Sequence, residues 1–211
     1  MARPKAVLFD WDGTLLDSAE ATYRCYGILF SSYSLRFDRE TFERTYCPDW
    51  YRTYEALGLP RASWDEADRH WLRLYAEHPP ELLPGARAAL ERLAAVGTPL
   101  GLVTSGQRER VAADLARLEL SSFFTSIVCG SDLPERKPDP APLRRGLAGL
   151  GPAPHDAAYV GDSPDDVHMA RAAGVFAVAV PGGYPSRAAL AAAGADLFAE
   201  SLTEALDALG L

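Results

Sequence analysis

Six short, nearly uninterrupted apolar runs punctuate the chain: AVLF (6–9), PLGLV (99–103), TSIVC (125–129), AAYV (157–160), VFAVAV (175–180) and ADLFA (195–199). Each is too short for a typical helix, and none alternates apolar with polar residues. Such runs suit strands covered on both faces, because a strand with one wet face shows a period of two. The segments between them carry helical patterning near 86–96, 107–118, 140–149, 164–173, 186–193 and 202–209. Strands joined through helices pair in parallel, since a parallel crossover needs a dozen or more residues. In sheets of this kind ligands bind beyond the carboxyl ends of the strands. Chemistry is therefore expected just after the apolar runs.

The alternation is interrupted once, between the first run and the second. Residues 17–83 hold 13 of the 21 aromatic residues. Tyr23, Tyr26, Phe30 and Tyr33 recur at helical spacing, as do Trp50, Tyr54 and Leu57, and Trp64, Ala67, Trp71 and Leu74. Each set forms one stripe on a helix. Asp17 with Glu20 and Ser63 with Glu66 have the spacing of capping boxes at two helix starts. The expected fold class is α/β: a three-layer, Rossmann-like parallel-sheet core, residues 1–16 plus 84–211, with an inserted all-helical cap, residues 17–83.

Composition removes several classes of function. The formal net charge is -8, and lysine occurs only at Lys5 and Lys137. No basic stripe exists to follow a phosphate backbone, so no nucleic-acid partner is expected. No apolar stretch is long enough to span a bilayer, and MARPKAVLFDWDG lacks the pattern of a secretory leader. The expected home is cytoplasmic. Cys25, Cys47 and Cys129 are far apart and read as reduced thiols. The expected assembly is a monomer or homodimer.

Four strand ends are followed by polar clusters: Asp10-Trp11-Asp12-Gly13-Thr14, Thr104-Ser105-Gly106, the ERKPDP loop with Lys137, and Gly161-Asp162-Ser163-Pro164-Asp165-Asp166. Taken singly, each has a plain explanation. Asp favours turns, and Ser-Pro-Asp-Asp is a good helix start. Asp10-x-Asp12 also opens like an EF-hand loop, but position 6 would be Leu15 and position 12 would be Ala21, which fails that motif. Lys137 stands out because this chain otherwise carries its surface cations as Arg.

Together, in this order, DWDGTLLDS, VTSG, Lys137 and VGDSPDD resemble the four motifs of the haloacid dehalogenase superfamily, in the branch with a helical cap after the first motif. Trp11 stands where Phe is more usual. The resemblance implies a phosphatase, phosphoglycolate phosphatase-like, acting on a small phosphorylated metabolite. It implies Asp10 as nucleophile and Asp12 as general acid and base, with Thr104, Ser105 and Lys137 holding the phosphoryl group. It implies Mg²⁺ on Asp10, the backbone carbonyl of Asp12 and Asp162, with Asp166 supporting the metal directly or through water. All-oxygen ligands suit Mg²⁺. Dehalogenases need no acid at position 12, and residues 17–83 contain no Lys for Schiff-base chemistry. A sugar phosphomutase, or a non-catalytic phosphometabolite sensor, is the alternative. The stretch from Arg44 to Arg52 lies where relatives place a specificity loop, so Arg44, Arg52, Tyr46, Trp50 and Tyr51 are candidate substrate contacts.

Overall fold

The computed structural model describes residues 3–184 and 187–211. Six strands form one parallel sheet: β1 Ala6–Phe9, β2 Leu100–Val103, β3 Ser126–Val128, β4 Ala157–Gly161, β5 Phe176–Ala179 and β6 Leu197–Phe198. Their order across the sheet is β3-β2-β1-β4-β5-β6. The chain runs outward from β1 to β3, then crosses back to β4 beside β1. The order therefore reverses between β1 and β4, which leaves a crevice at their carboxyl ends.

β1 shows why its apolar run is continuous. Val7 and Phe9 pack into the cluster on one face of the sheet, with Leu90, Leu93 and Val111. Ala6 and Leu8 pack on the other, with Leu143, Val167 and Met169. All four strand residues are fully buried. At roughly 1.5–3 kcal/mol for each large apolar side chain removed from water, a polar residue at any of them would be costly. Helices α5 (Ala86–Ala95), α6 (Arg108–Arg117) and α10 (Leu202–Ala208) cover the first face. The second is covered by α7 (Ala141–Ala148), α8 (Pro164–Ala173) and α9 (Arg187–Ala192). The first residue of the expected 186–193 helix lies outside the described residues.

Between β1 and α5 lie four helices: α1 (Ala19–Ser32), α2 (Arg39–Thr45), α3 (Trp50–Ala56) and α4 (Trp64–Glu77). Tyr26, Leu29, Phe30, Phe42, Tyr54, Leu59 and Ala67 form an apolar cluster of their own there. The chain enters and leaves this insert side by side. Leu16 bridges Leu82, the Asp17 N–H donates to the Glu81 carbonyl, and the Leu83 N–H donates to that of Leu15.

Neither expected capping box in the insert forms. Helix α1 begins after Ser18, with no side-chain cap bond. Asp17 is held in the paired crossing instead. Ser63 precedes α4 but already sits in helical geometry, at the end of a 3-10 turn over Arg61–Ser63, and makes no side-chain cap bond. An N-cap needs extended backbone, and the turn removes it. Among the described residues, side-chain caps form at Asp38 on α2, Asp49 on α3, Ser163 on α8 and Ser201 on α10. Among the described residues, no helix is long and apolar enough to cross a membrane.

Candidate active site

Asp10 is the first residue beyond β1 and Asp162 the first beyond β4, and these strands are neighbours. The Asp10 N–H donates to the Val160 carbonyl at 2.9 Å, which extends the pairing to the site itself. The reversal of strand order thus brings both carboxylates to one point. Gly13 follows with φ +81°, and a Cβ there would collide with the Asp162 carboxylate. The glycine of the turn is needed twice, for its left-handed backbone and for its lack of side chain.

Lys137, in the loop between β3 and α7, completes the centre. Its Nζ donates to Asp10 Oδ1 at 2.6 Å and to Asp166 Oδ1 at 2.7 Å. Lys137 is only 4% exposed and Asp10 only 7%. Burial works against the ammonium, but the carboxylates of Asp10 and Asp166 outweigh it and raise its pKa above the ordinary lysine value. The cation is therefore permanent at neutral pH.

Asp166 starts α8 in a capping box: Ser163 Oγ accepts from the Asp166 N–H, and Asp166 Oδ2 accepts from the Ser163 N–H at 3.1 Å and from its Oγ at 2.6 Å. Asp166 Oδ1 also lies 2.9 Å from the Tyr159 hydroxyl. The single Tyr159 hydroxyl proton is shared with the Val103 carbonyl, also 2.9 Å away, so Lys137 and the two Ser163 donors are the firm partners of this carboxylate. Asp166 thus braces Lys137 while lying beside the carboxylates of Asp10 and Asp162.

Oxygens of Asp10, Asp162 and Asp166 all lie within 4.8 Å of one another. Three carboxylates converge on one ammonium, and the excess negative charge is buried. Burial, partly offset by Lys137, raises the pKa of Asp10 to about 7. Burial and the neighbouring Asp10 raise that of Asp162 well above the usual carboxylate range. Among the described residues, the Asp162 carboxylate receives only a long 3.4 Å bond from Thr14 Oγ1. An under-coordinated carboxylate beside a second one fits a hard divalent cation.

The other expected site residues fall around this centre. Thr104, directly after β2, is buried, and its Oγ1 accepts the Gly106 N–H at 3.0 Å. Ser105 is half-buried and faces the same cavity, but it does not cap a helix. Helix α6 starts three residues later, with Gln107 in the N-cap position. The carboxylate of Asp12 is not in the cluster. Both its oxygens accept from the Arg110 guanidinium, Oδ1 at 3.0 Å. Only its backbone carbonyl is left for the metal role implied by the motif.

Asp10, Asp12, Thr104, Ser105, Lys137 and Asp162 line one cavity of about 380 Å³ between the carboxyl end of the sheet and the insert. Tyr26, Tyr46, Trp50, Tyr54, Asp68 and Trp71 form its far wall. The Asp68 carboxylate accepts from the hydroxyls of Tyr51 at 3.1 Å and Tyr54 at 3.0 Å. Arg44 and Arg52 line the cavity, whereas Tyr51 packs behind it, stacked on Trp64 at 4.8 Å. The stretch 44–52 is not one loop: Arg44 lies in the last turn of α2, and Trp50 begins α3.

Tyr184 and Arg110 are among the lining residues that the sequence did not single out. Tyr184, beyond β5, stacks on Tyr46 with ring centres 4.2 Å apart, and its hydroxyl lies 3.0 Å from Ser18 Oγ and 2.9 Å from Thr22 Oγ1. Nothing in PGGY marks it. Arg110 does have a signal: with Val111, Asp114 and Leu115 it lies on the buried face of α6, where a charged pair at i, i+4 is out of place.

Comparison with known proteins agrees with this geometry. The family model for haloacid dehalogenase-like hydrolases matches residues 7–180. The phosphoglycolate phosphatase of Chromobacterium violaceum is 36% identical over 216 residues, covering 96% of this chain and 95% of that protein. The phosphoglycolate phosphatase of Rhodospirillum rubrum is 38% identical over 208 residues, covering 91% and 85%. A crystal structure of a predicted phosphoglycolate phosphatase from Haemophilus somnus superimposes with a TM-score of 0.87 at 25% identity, covering 99% of each chain. With the four motifs converging at one end of this parallel sheet, the chain belongs to the haloacid dehalogenase-like hydrolase family and is an enzyme of the hydrolase class.

Proposed function

We propose that the protein is a Mg²⁺-dependent phosphatase of small phosphomonoesters, phosphoglycolate phosphatase-like. The observation that carries this reading is the convergence of Asp10, Asp162 and Lys137 on one cavity, with buried Asp166 hydrogen-bonded to Lys137. Asp10 attacks phosphorus, and the bond from phosphorus to the ester oxygen breaks. Asp12 gives that oxygen its proton, then takes one from the water that hydrolyses the aspartyl-phosphate. Lys137 holds Asp10 in place and balances charge on the phosphoryl oxygens, while Thr104 and Ser105 offer hydroxyl and backbone donors beside them. Asp10, Asp162 and the Asp12 carbonyl would hold the ion, with Asp166 supporting it through Lys137 and water. Bound there, Mg²⁺ would offset the repulsion between carboxylates and phosphate and polarise the phosphoryl group. The helical insert acts as the cap, and its aromatic wall excludes water from the charged intermediate.

The test is a panel of small phosphomonoesters, including 2-phosphoglycolate and p-nitrophenyl phosphate, with and without Mg²⁺. Turnover that needs Mg²⁺ and stops with chelator is the expected result. No release of phosphate from any member overturns the reading, as does transfer to a sugar hydroxyl that outpaces release.

The site also sets a pH dependence that can be read without turnover. The pKa of Asp10 rises from the ordinary 3.8 to about 7 on folding. A raised pKa means the folded protein holds the proton more tightly than the unfolded chain. The contribution to stability is full below about pH 4 and is lost as pH rises through 7. A divalent ion replaces those protons. At Mg²⁺ a hundredfold above its Kd, Tm is expected to rise by about 5–10 °C at pH 8, and by clearly less at pH 6. Equal increments at both pH values would place the ion elsewhere.

A further inference from the structure

Arg110 is 8% exposed and stands in the first turn of α6, where the helix dipole favours an acid over a cation. Carboxylates hold it there. Its two terminal nitrogens take both oxygens of Asp12, and Nη1 also lies 3.4 Å from Asp114 Oδ2. The insert supplies the rest of its surroundings. Nη1 donates to the Tyr75 hydroxyl at 3.2 Å, and the guanidinium carbon lies 5.0 Å from the Tyr75 ring centre and 5.9 Å from that of Trp71. The Tyr75 hydroxyl in turn donates to Asp114 at 2.9 Å. A Cβ on Gly106 would strike the guanidinium, so the glycine of VTSG is also the space Arg110 occupies.

We propose that Arg110 is a positioning residue for Asp12: its two-pronged grip, backed by Tyr75 and Asp114, sets the rotamer from which Asp12 moves protons. A lone carboxylate on a turn has several rotamers. A planar guanidinium fixed on four sides selects one, because fork-to-fork pairing fixes direction as well as distance. Arg110 thereby ties the proton carrier to helix α4 of the cap. This inference rests on the phosphatase reading above.

The two half-reactions separate this role from a structural one. With p-nitrophenyl phosphate, the bond from Asp10 to phosphorus forms as the ester bond breaks, and the electron pair leaves with nitrophenolate, which needs no proton. In the second half water attacks phosphorus, the bond to Asp10 breaks, and the water's proton goes to Asp12. Misplacing Asp12 should slow the second half alone. Stopped-flow mixing of Arg110→Met with p-nitrophenyl phosphate and Mg²⁺ is expected to show a burst of about one nitrophenolate per site. Steady turnover after it should be slower than wild type by on the order of 10²-fold, the usual cost of a small misplacement. With an alkyl phosphate, which needs the proton to leave, no burst is expected. Arg110→Lys should recover part of the steady rate, and Tyr75→Phe should show a weaker form of the same signature. That second variant carries the test if Arg110→Met does not fold. Burst and steady rate falling together, or a raised KM with kcat unchanged, would overturn the proposal. Wild-type protein that turns over no phosphomonoester would instead overturn the phosphatase reading, before any variant is compared.

Discussion

Asp10→Asn is expected to lower phosphatase turnover by at least about 10³-fold, in the range found when a nucleophile is removed from a catalytic unit. The same variant should fold as well as the wild type or better. In the metal-free protein at neutral pH, burial together with Asp166 and Asp12 disfavours the ionised Asp10 carboxylate by more than Lys137 favours it, which is why its pKa rises to about 7. An amide of the same shape removes the charge and keeps an acceptor for Lys137 Nζ, now 2.6 Å from Oδ1. Thermal unfolding at pH 8 without metal should therefore give a Tm equal to or above that of the wild type. The gain from Mg²⁺ should shrink, because one ligand has lost its charge. Activity lost together with the fold would make Asp10 a structural residue. Activity kept within tenfold would remove it from the chemistry. The expected pattern, inactive but stable, is that of a site whose geometry the fold holds at a cost to its own stability.

The sheet was legible because burial on both faces leaves a strong sequence trace. Each of the six apolar runs overlaps an observed strand, and the fully buried strands β1 and β2 carry no polar side chain, whereas the partly buried edge strand β3 includes Ser126. The residues at the strand ends were legible for a related reason: Asp10 and Asp162 break apolar runs abruptly, and parallel topology places such breaks together. What stayed hidden depends on contacts between distant segments. Asp17 and Ser63 carry the local signature of capping boxes, yet the paired crossing at Leu16 and Leu82 holds one, and a preceding 3-10 turn spoils the other. Helix α2 has Phe42 as its one large apolar residue, so its sequence shows no stripe. Arg110 is marked in the sequence only by its place on the apolar face of α6, and its partners Asp12 and Tyr75 are 98 and 35 residues away. Tyr184 reaches Tyr46 only through the packing of the insert on the core.

Lys137→Met tests the other half of the electrostatic arrangement, and its effect should fall on both activity and stability. The ammonium is hydrogen-bonded to both Asp10 and Asp166, and methionine keeps much of the stem while removing the charge. Breaking a buried ion pair from one side leaves the partner uncompensated and typically costs about 3–5 kcal/mol. The loss should depend on pH in a defined direction. Lysine stays charged at all pH values below its raised pKa, so between pH 5 and 8 the dependence comes from the carboxylates. Without Lys137, the chief influence holding the Asp10 pKa down is gone, and that pKa must rise above its wild-type value of about 7. Stability from a raised carboxylate pKa is present at low pH and lost as pH rises through it. Destabilisation should thus be larger at pH 8 than at pH 5, as read from Tm or from urea midpoints at the two pH values. Mg²⁺ should restore part of the stability at pH 8, because it supplies positive charge to the same carboxylates. It should not restore the rate, which is expected to stay about 10²–10³-fold down. The ion cannot take the place of a donor held between Asp10 and Asp166. A variant equally destabilised at both pH values would mean that Lys137 contributes by packing, and one rescued in rate by Mg²⁺ would mean that its charge alone mattered.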